Sequence, residues 1–142
     1  MTVTMIVGLL ASLAVPGIES VRIKSQNSAL LRDLRTFEGA FLLYIMENGH
    51  WPSDQNRGVL PPEMMGYLSE HNFTRPTPIG GQYDWDPSSS GSLPGGIQAA
   101  VSVRDHRAND KQIAALLANY DDGNPGTGRI RVNGSDLHFV IE

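Results

Sequence analysis

Residues 1–49, MTVTMIVGLLASLAVPGIESVRIKSQNSALLRDLRTFEGAFLLYIMENG, hold two patterns in series. Residues 1–18 carry no charge, and Glu19 is the first charged side chain. Beyond it Leu30, Leu34, Phe37, Phe41, Tyr44 and Ile45 recur at steps of four, three, four, three and one, which places them in one stripe of an α-helix. Arg32, Arg35 and Glu38 fall on other faces. Asn48-Gly49 predicts the stop, with Gly49 free to take a left-handed cap and Pro52 close behind. Uncharged run and stripe together predict one helix of about 48 residues, ~70 Å long. A globule made from 142 residues is only about 30–40 Å across. The front of the helix must therefore protrude, and lipid, partner subunits or both must cover it.

As a helix the uncharged run spans ~27 Å, just short of a hydrocarbon core of ~30 Å. A signal peptide fits poorly, because no basic stretch precedes the run and no A-x-A-like site comes after it. A buried core helix would need cover on every side, since the run is apolar all round. Arg22 and Lys24 flank its C-terminal side and nothing basic flanks the other, which by the positive-inside count favours a cytoplasmic C-terminus. The chain divides into an apolar transmembrane or filament-core segment, 1–24, and an amphipathic helix with a globular head, 25–142.

Charge is uneven. Residues 19–49 balance four basic groups (Arg22, Lys24, Arg32, Arg35) against four acidic ones (Glu19, Asp33, Glu38, Glu47), so the net charge of -4 resides in residues 50–142. That acidity argues against a nucleic-acid partner, which would call for a basic face. The absence of cysteine excludes disulfides, thiolate nucleophiles and Cys-ligated zinc.

In the head, Pro61-Pro62 before Glu63–Leu68 predicts a short helix in an otherwise loop-rich stretch, 50–81. Tyr83 and Trp85 alternating with Asp84 and Asp86 predict a strand. Asp86 to Gly96 reads as a polar turn cluster. Ile97, Ala99, Val101 and Val103 alternate with Gln98, Ala100, Ser102 and Arg104, the clearest strand. Asn109 and Gln112 form a weak capping box for a helix carrying Ile113, Leu116, Leu117 and Tyr120. Residues 128–141 predict a terminal hairpin turning at 133–136. The fold class is α+β: a long protruding N-terminal helix packed against a small antiparallel sheet with short extra helices.

Nothing in the chain predicts an enzyme, a resident metal or a cofactor. His50, His71, His106 and His138 make no HxxxH or HExxH spacing, and Ser88-Ser89-Ser90 lack a G-x-S-x-G elbow. Asp121, Asp122 and Asn124 cluster oxygen donors that would suit Ca²⁺, but their spacing is not that of a D-x-[DN]-x-[DN]-G loop, and a helix-terminating turn explains them as well. Trp51, Tyr83, Trp85 and Phe139 read as core rather than as a base-stacking platform.

Met5-Ile6-Val7-Gly8-Leu9-Leu10-Ala11-Ser12-Leu13-Ala14-Val15-Pro16 resembles the N-terminal helix of type IV pilins and type II secretion pseudopilins. Asn48-Gly49-His50-Trp51-Pro52 and Gly80-Gly81-Gln82-Tyr83-Asp84-Trp85 look like the loop entry of pseudopilin-like sequences. The resemblance implies a structural subunit stored in a bacterial inner membrane with a periplasmic head and polymerised through this helix into a pilus or a secretion pseudopilus. Ile6, Val7, Leu9, Leu10, Leu13 and Val15 would form the membrane or filament-core surface. Gly8 and Pro16 would mark a helix break, since family filaments have a non-helical stretch between the corresponding glycine and proline. Its partners would be copies of itself or related pilins, and lipid before assembly. The family's leader-peptidase site and glutamate would, by register, lie before Met1. Some pseudopilins bind calcium in C-terminal loops. The alternative is a membrane-tethered periplasmic binding domain that never polymerises.

Overall fold

The computed structural model describes residues 2–87, 93 and 96–142, with side chains described from Ile18 onward. One helix, α1 (Thr2–Asn48), runs without interruption through the uncharged run and the stripe. It stops where glycine permits: Gly49 has φ +77° and its N–H donates to the Ile45 carbonyl at 2.8 Å. Residues 18–22 are all exposed, and the buried face begins at Ile23, continuing through Asn27, Leu30, Leu31, Leu34, Phe37, Phe41 and Tyr44. Ile45, the last residue of the predicted stripe, is half-buried. Among the described residues, no helix is long and apolar enough to cross a membrane.

Four strands come after it: β1 (Gln82–Pro87), β2 (Ala99–Arg104), β3 (Ile130–Asn133) and β4 (Asp136–Val140), with a helix α3 (Asp110–Tyr120) between β2 and β3. They form one antiparallel sheet in the order β1-β2-β4-β3. The helix predicted after Pro61 is a single 3₁₀ turn, Pro62–Met64. A second short helix, α2 (Glu70–Thr74), has no counterpart in the sequence pattern, and places Phe73 in the core. β2 starts later than predicted because Gln98 and Ala99 give their N–H groups to the Glu142 carbonyl instead of to a neighbouring strand. Most of the polar cluster expected from Asp86 to Gly96 lies outside the described residues; Asp86 and Pro87 belong to β1.

The sheet packs on α1 through rings. Phe41 stacks on Trp85 with centroids 4.0 Å apart, and Phe37 meets Tyr83 edge-on at 4.8 Å and Phe73 at 5.3 Å. Polar ties fix the register of helix on sheet. Buried Asp33 accepts from Tyr83 Oη at 2.8 Å and from Arg75 at 2.9 Å, and Glu38 pairs with Arg129 at 2.6 Å. The entry to β1 needs glycine: at Gly81, φ +78°, a Cβ would lie 2.0 Å from the Arg104 carbonyl oxygen.

Both outer strands have occupied edges. The free N–H groups of β3 are taken by the loop before it, Ile130 by the Asp121 carboxylate at 3.2 Å and Val132 by the Pro125 carbonyl at 2.9 Å. On β1 the Tyr83 carbonyl accepts from Gly58 N–H at 2.7 Å.

Because Ile23 is buried, a cut after residue 24 removes a core contact, whereas a fragment starting at Glu19 keeps the whole buried face. In that fragment Phe37→Ala or Phe41→Ala should cost about 3–5 kcal/mol. Exposed Arg35→Ala should cost less than about 0.5 kcal/mol. Denaturant midpoints that coincide for all three would place the core on another face.

Candidate functional site

Two regions are chemically distinctive: the outer face of the sheet and the exposed length of α1. Alternation in β1 and β2 separates a ring-lined face from a polar one, and five of the six residues of β1 and all six of β2 are buried. The outer face carries Asp84, Asp86, Ser102, Arg104 and His138, all buried. Register brings them together, since Asp84, Ser102 and His138 face one another across three strands. Arg104 reaches over them, donating from Nε to Asp84 at 3.0 Å, from one terminal nitrogen to Asp86 at 2.6 Å and from the other to Asp136 at 3.1 Å. Burial pulls the guanidinium towards neutrality, but Asp86 and the three carboxylate bonds hold it firmly charged.

Ser102, His138 and Asp86 share residue types with a nucleophilic triad, but not its wiring. Ser102 Oγ donates to Asp86 and lies 2.7 Å from His138 Nδ1, so the serine sits between acid and imidazole. A triad instead places the base between nucleophile and carboxylate. Ser102 is also wholly buried. Burial first, then the Arg104 charge, lowers the His138 pKa and keeps the ring neutral. The network is suited to holding one arginine, with no open position for a substrate. The D-x-D of β1 opposite the S-x-R of β2 is its sequence signal, which the strand pattern alone does not connect.

The remaining histidines do not converge. His50 is exposed against Tyr44, His71 is exposed, and His106 is half-buried with both ring nitrogens lacking a protein partner. Among the described residues no group of three or more His, Asp or Glu is placed to hold a metal. Asp121 and Asp122 spend their oxygens on the loop itself: Asp121 accepts from Arg129 and Ile130 N–H, and Asp122 from Asn124 N–H and Thr127 Oγ1. Gln112 corrects the capping box. Its N–H bonds the Asn109 side chain at 2.8 Å, but its own side chain turns to α1, donating to Gln26 at 2.9 Å and Asn27 at 3.3 Å.

The second region is α1. Gly8 and Pro16 lie within the continuous helix, while the side chains of Ile6, Val7, Leu9, Leu10, Leu13 and Val15 fall outside those described. Ile18 and Val21, the first described apolar side chains, are 65% and 68% exposed.

Asp84 is the titrating member of the outer network. Its Oδ1 is buried without a partner, and burial followed by the Asp86 charge pushes its pKa from 3.8 up to about 6. The folded state thus holds this proton more tightly than the unfolded chain. The resulting stability is complete below pH 3.8 and is lost as pH rises through about 6. Asp84→Asn should therefore gain on wild type by about 1–3 kcal/mol between pH 4 and pH 7. His138 contributes with the opposite sign and largely cancels in that difference. A difference in unfolding free energy that stays flat with pH would show Asp84 titrating as an ordinary carboxylate.

No family model and no curated protein matches the chain. Among solved structures it is similar to the major type IV pilin PilA1 from Clostridium difficile, with a TM-score of 0.59 and 18% identity. The alignment covers 84% of this chain and 96% of that one. At this identity the likeness is one of fold. A long N-terminal helix carries a small antiparallel sheet and short helices, so the fold is pilin-like, as the resemblance of Met5–Pro16 implied.

Proposed function

We propose that the chain is the structural subunit of a pilin-type filament. It is held in a bacterial inner membrane through its uncharged helix, with the head on the periplasmic side, and is then packed among the helices of other copies. The observation that supports this reading is the reach of α1. The helix starts at Thr2, and among the residues whose side chains are described the first five, 18–22, are all exposed and the first buried one is Ile23. Lipid tails and a bundle of like helices are alternative apolar solvents for one uncharged surface. Gly8, Ala11, Ser12 and Ala14 permit the close approach that helix packing without water needs.

A charge in this run tests the reading. Leu10→Lys should abolish filaments seen by electron microscopy of the native cell surface or periplasm, while circular dichroism shows a folded head. Native cells that hold the protein in the membrane but never form filaments would favour the tethered binding domain.

Pro16 cannot donate a backbone hydrogen bond and crowds the carbonyl of Ser12, costing ~3 kcal/mol in a helix interior, and Gly8 adds ~1 kcal/mol. In the isolated chain α1 is continuous across both. Packed neighbours can satisfy freed backbone groups, so an assembled filament should show an extended or broken segment within residues 8–16. A filament map with unbroken helical hydrogen bonding from Val7 through Val21 would refute this.

A further inference from the structure

Among the described residues seven cations make no salt bridge, Arg22, Lys24, Arg32, Arg35, Arg107, Lys111 and Arg131, and four of them lie around the start of α3. Among the described residues Arg57, Arg75, Arg104 and Arg129 account for every salt bridge. Arg22, Lys24, Arg107 and Lys111 are exposed, and their side chains make neither a salt bridge nor a hydrogen bond. These four sit together. One surface groove is lined by Lys24 and Lys111, and a second by Arg22 and Arg107. The two flank the place where Gln112 clasps Gln26 and Asn27, so the start of α3 is fixed beside the α1 turns that carry Arg22 and Lys24. No acidic residue lines either groove.

Their level along α1 is informative. The uncharged run ends at Ile18. At 1.5 Å per residue Arg22 lies ~6 Å beyond it and Lys24 ~9 Å. The headgroup layer adds about 5–8 Å to each side of the hydrocarbon core. With Ile18 at the edge of the hydrocarbon, Arg22 and Lys24 fall at or just above the phosphates, and Lys111 and Arg107 line the same two grooves.

We propose that Arg22, Lys24, Arg107 and Lys111 form a basic collar that docks the base of the head onto anionic phospholipid headgroups before assembly. The inference rests on the membrane-stored state proposed above. An acidic surface of a second copy is the competing partner, but Arg22 and Lys24 lie within two turns of the end of the uncharged run and share their grooves with Arg107 and Lys111, which is where lipid would begin. The collar also accounts for Arg22 and Lys24 lying on the head side of the run: they serve as headgroup ligands and not as a cytoplasmic anchor. A basic residue close to an anionic surface is worth about a fivefold gain in affinity.

The chain has no cysteine, so single labels are straightforward. Full-length Ala115→Cys and Leu10→Cys, each carrying a nitroxide, are reconstituted at high dilution into vesicles of phosphatidylcholine alone or with one third phosphatidylglycerol. Ala115 lines the collar groove beside Lys24 and Lys111. Expected is a Leu10 label in hydrocarbon in both lipids. The Ala115 label should gain about threefold or more in collisions with a headgroup-anchored nickel chelate when phosphatidylglycerol is present. High salt, or Gln at all four cations, should erase that gain. A Leu10 label in hydrocarbon with an Ala115 label equally water-exposed in both lipids overturns the collar and leaves membrane storage standing. A Leu10 label in water in both overturns membrane storage and the collar with it. Protection of Ala115 that depends on protein density rather than lipid charge assigns the cations to a second copy and also overturns the proposal.

Discussion

The stacking of Phe41 on Trp85, with Phe37 set edge-on against Tyr83 beside it, is the contact on which the rest of the head is assembled. Two α1 residues four apart meet two β1 residues two apart, so a helical period is matched to a strand period at one place. Once these rings are seated, Asp33 can reach Tyr83, and β2 and β4 pair outward from β1 in fixed register. The second half of the long helix thus serves as the scaffold on which the sheet is laid.

Legibility tracked the strength of periodicity. The stripe from Leu30 to Tyr44 repeats over four turns, and Gly49 closes it, so helix, buried face and stop were all readable. The strands were readable as segments, but their order was not, because β4 inserts between β2 and β3 through pairings that only the folded sheet selects. α2 escaped notice since five residues are too few to show a helical period. The polar outer network escaped for a different reason. Alternation says which residues share a face but not whether that face is wet, and only the folded sheet shows Asp84, Asp86, Ser102 and Arg104 buried together. The helical tip was legible as the uncharged continuation of the stripe, although Gly8 and Pro16 pull against helix and α1 runs through both.

That network places one guanidinium among three carboxylates on the buried outer face of the sheet. A buried charge group of this kind adds little net stability and is costly to break. Its geometry is nevertheless demanding: Arg104 meets Asp84, Asp86 and Asp136 only when β1, β2 and β4 are in their observed register. A slip by one residue would turn the arginine into the ring-lined core.

The occupied edges of the sheet bear on what happens when many heads are crowded side by side. An open strand edge is a template for a neighbour's backbone, and strands joined that way separate with difficulty. With the β3 edge taken by Asp121 and Pro125, and Gly58 on β1, a neighbouring head finds few backbone donors or acceptors to recruit. Cohesion of any such array would then fall to side-chain contacts, which part more readily than a shared backbone ladder.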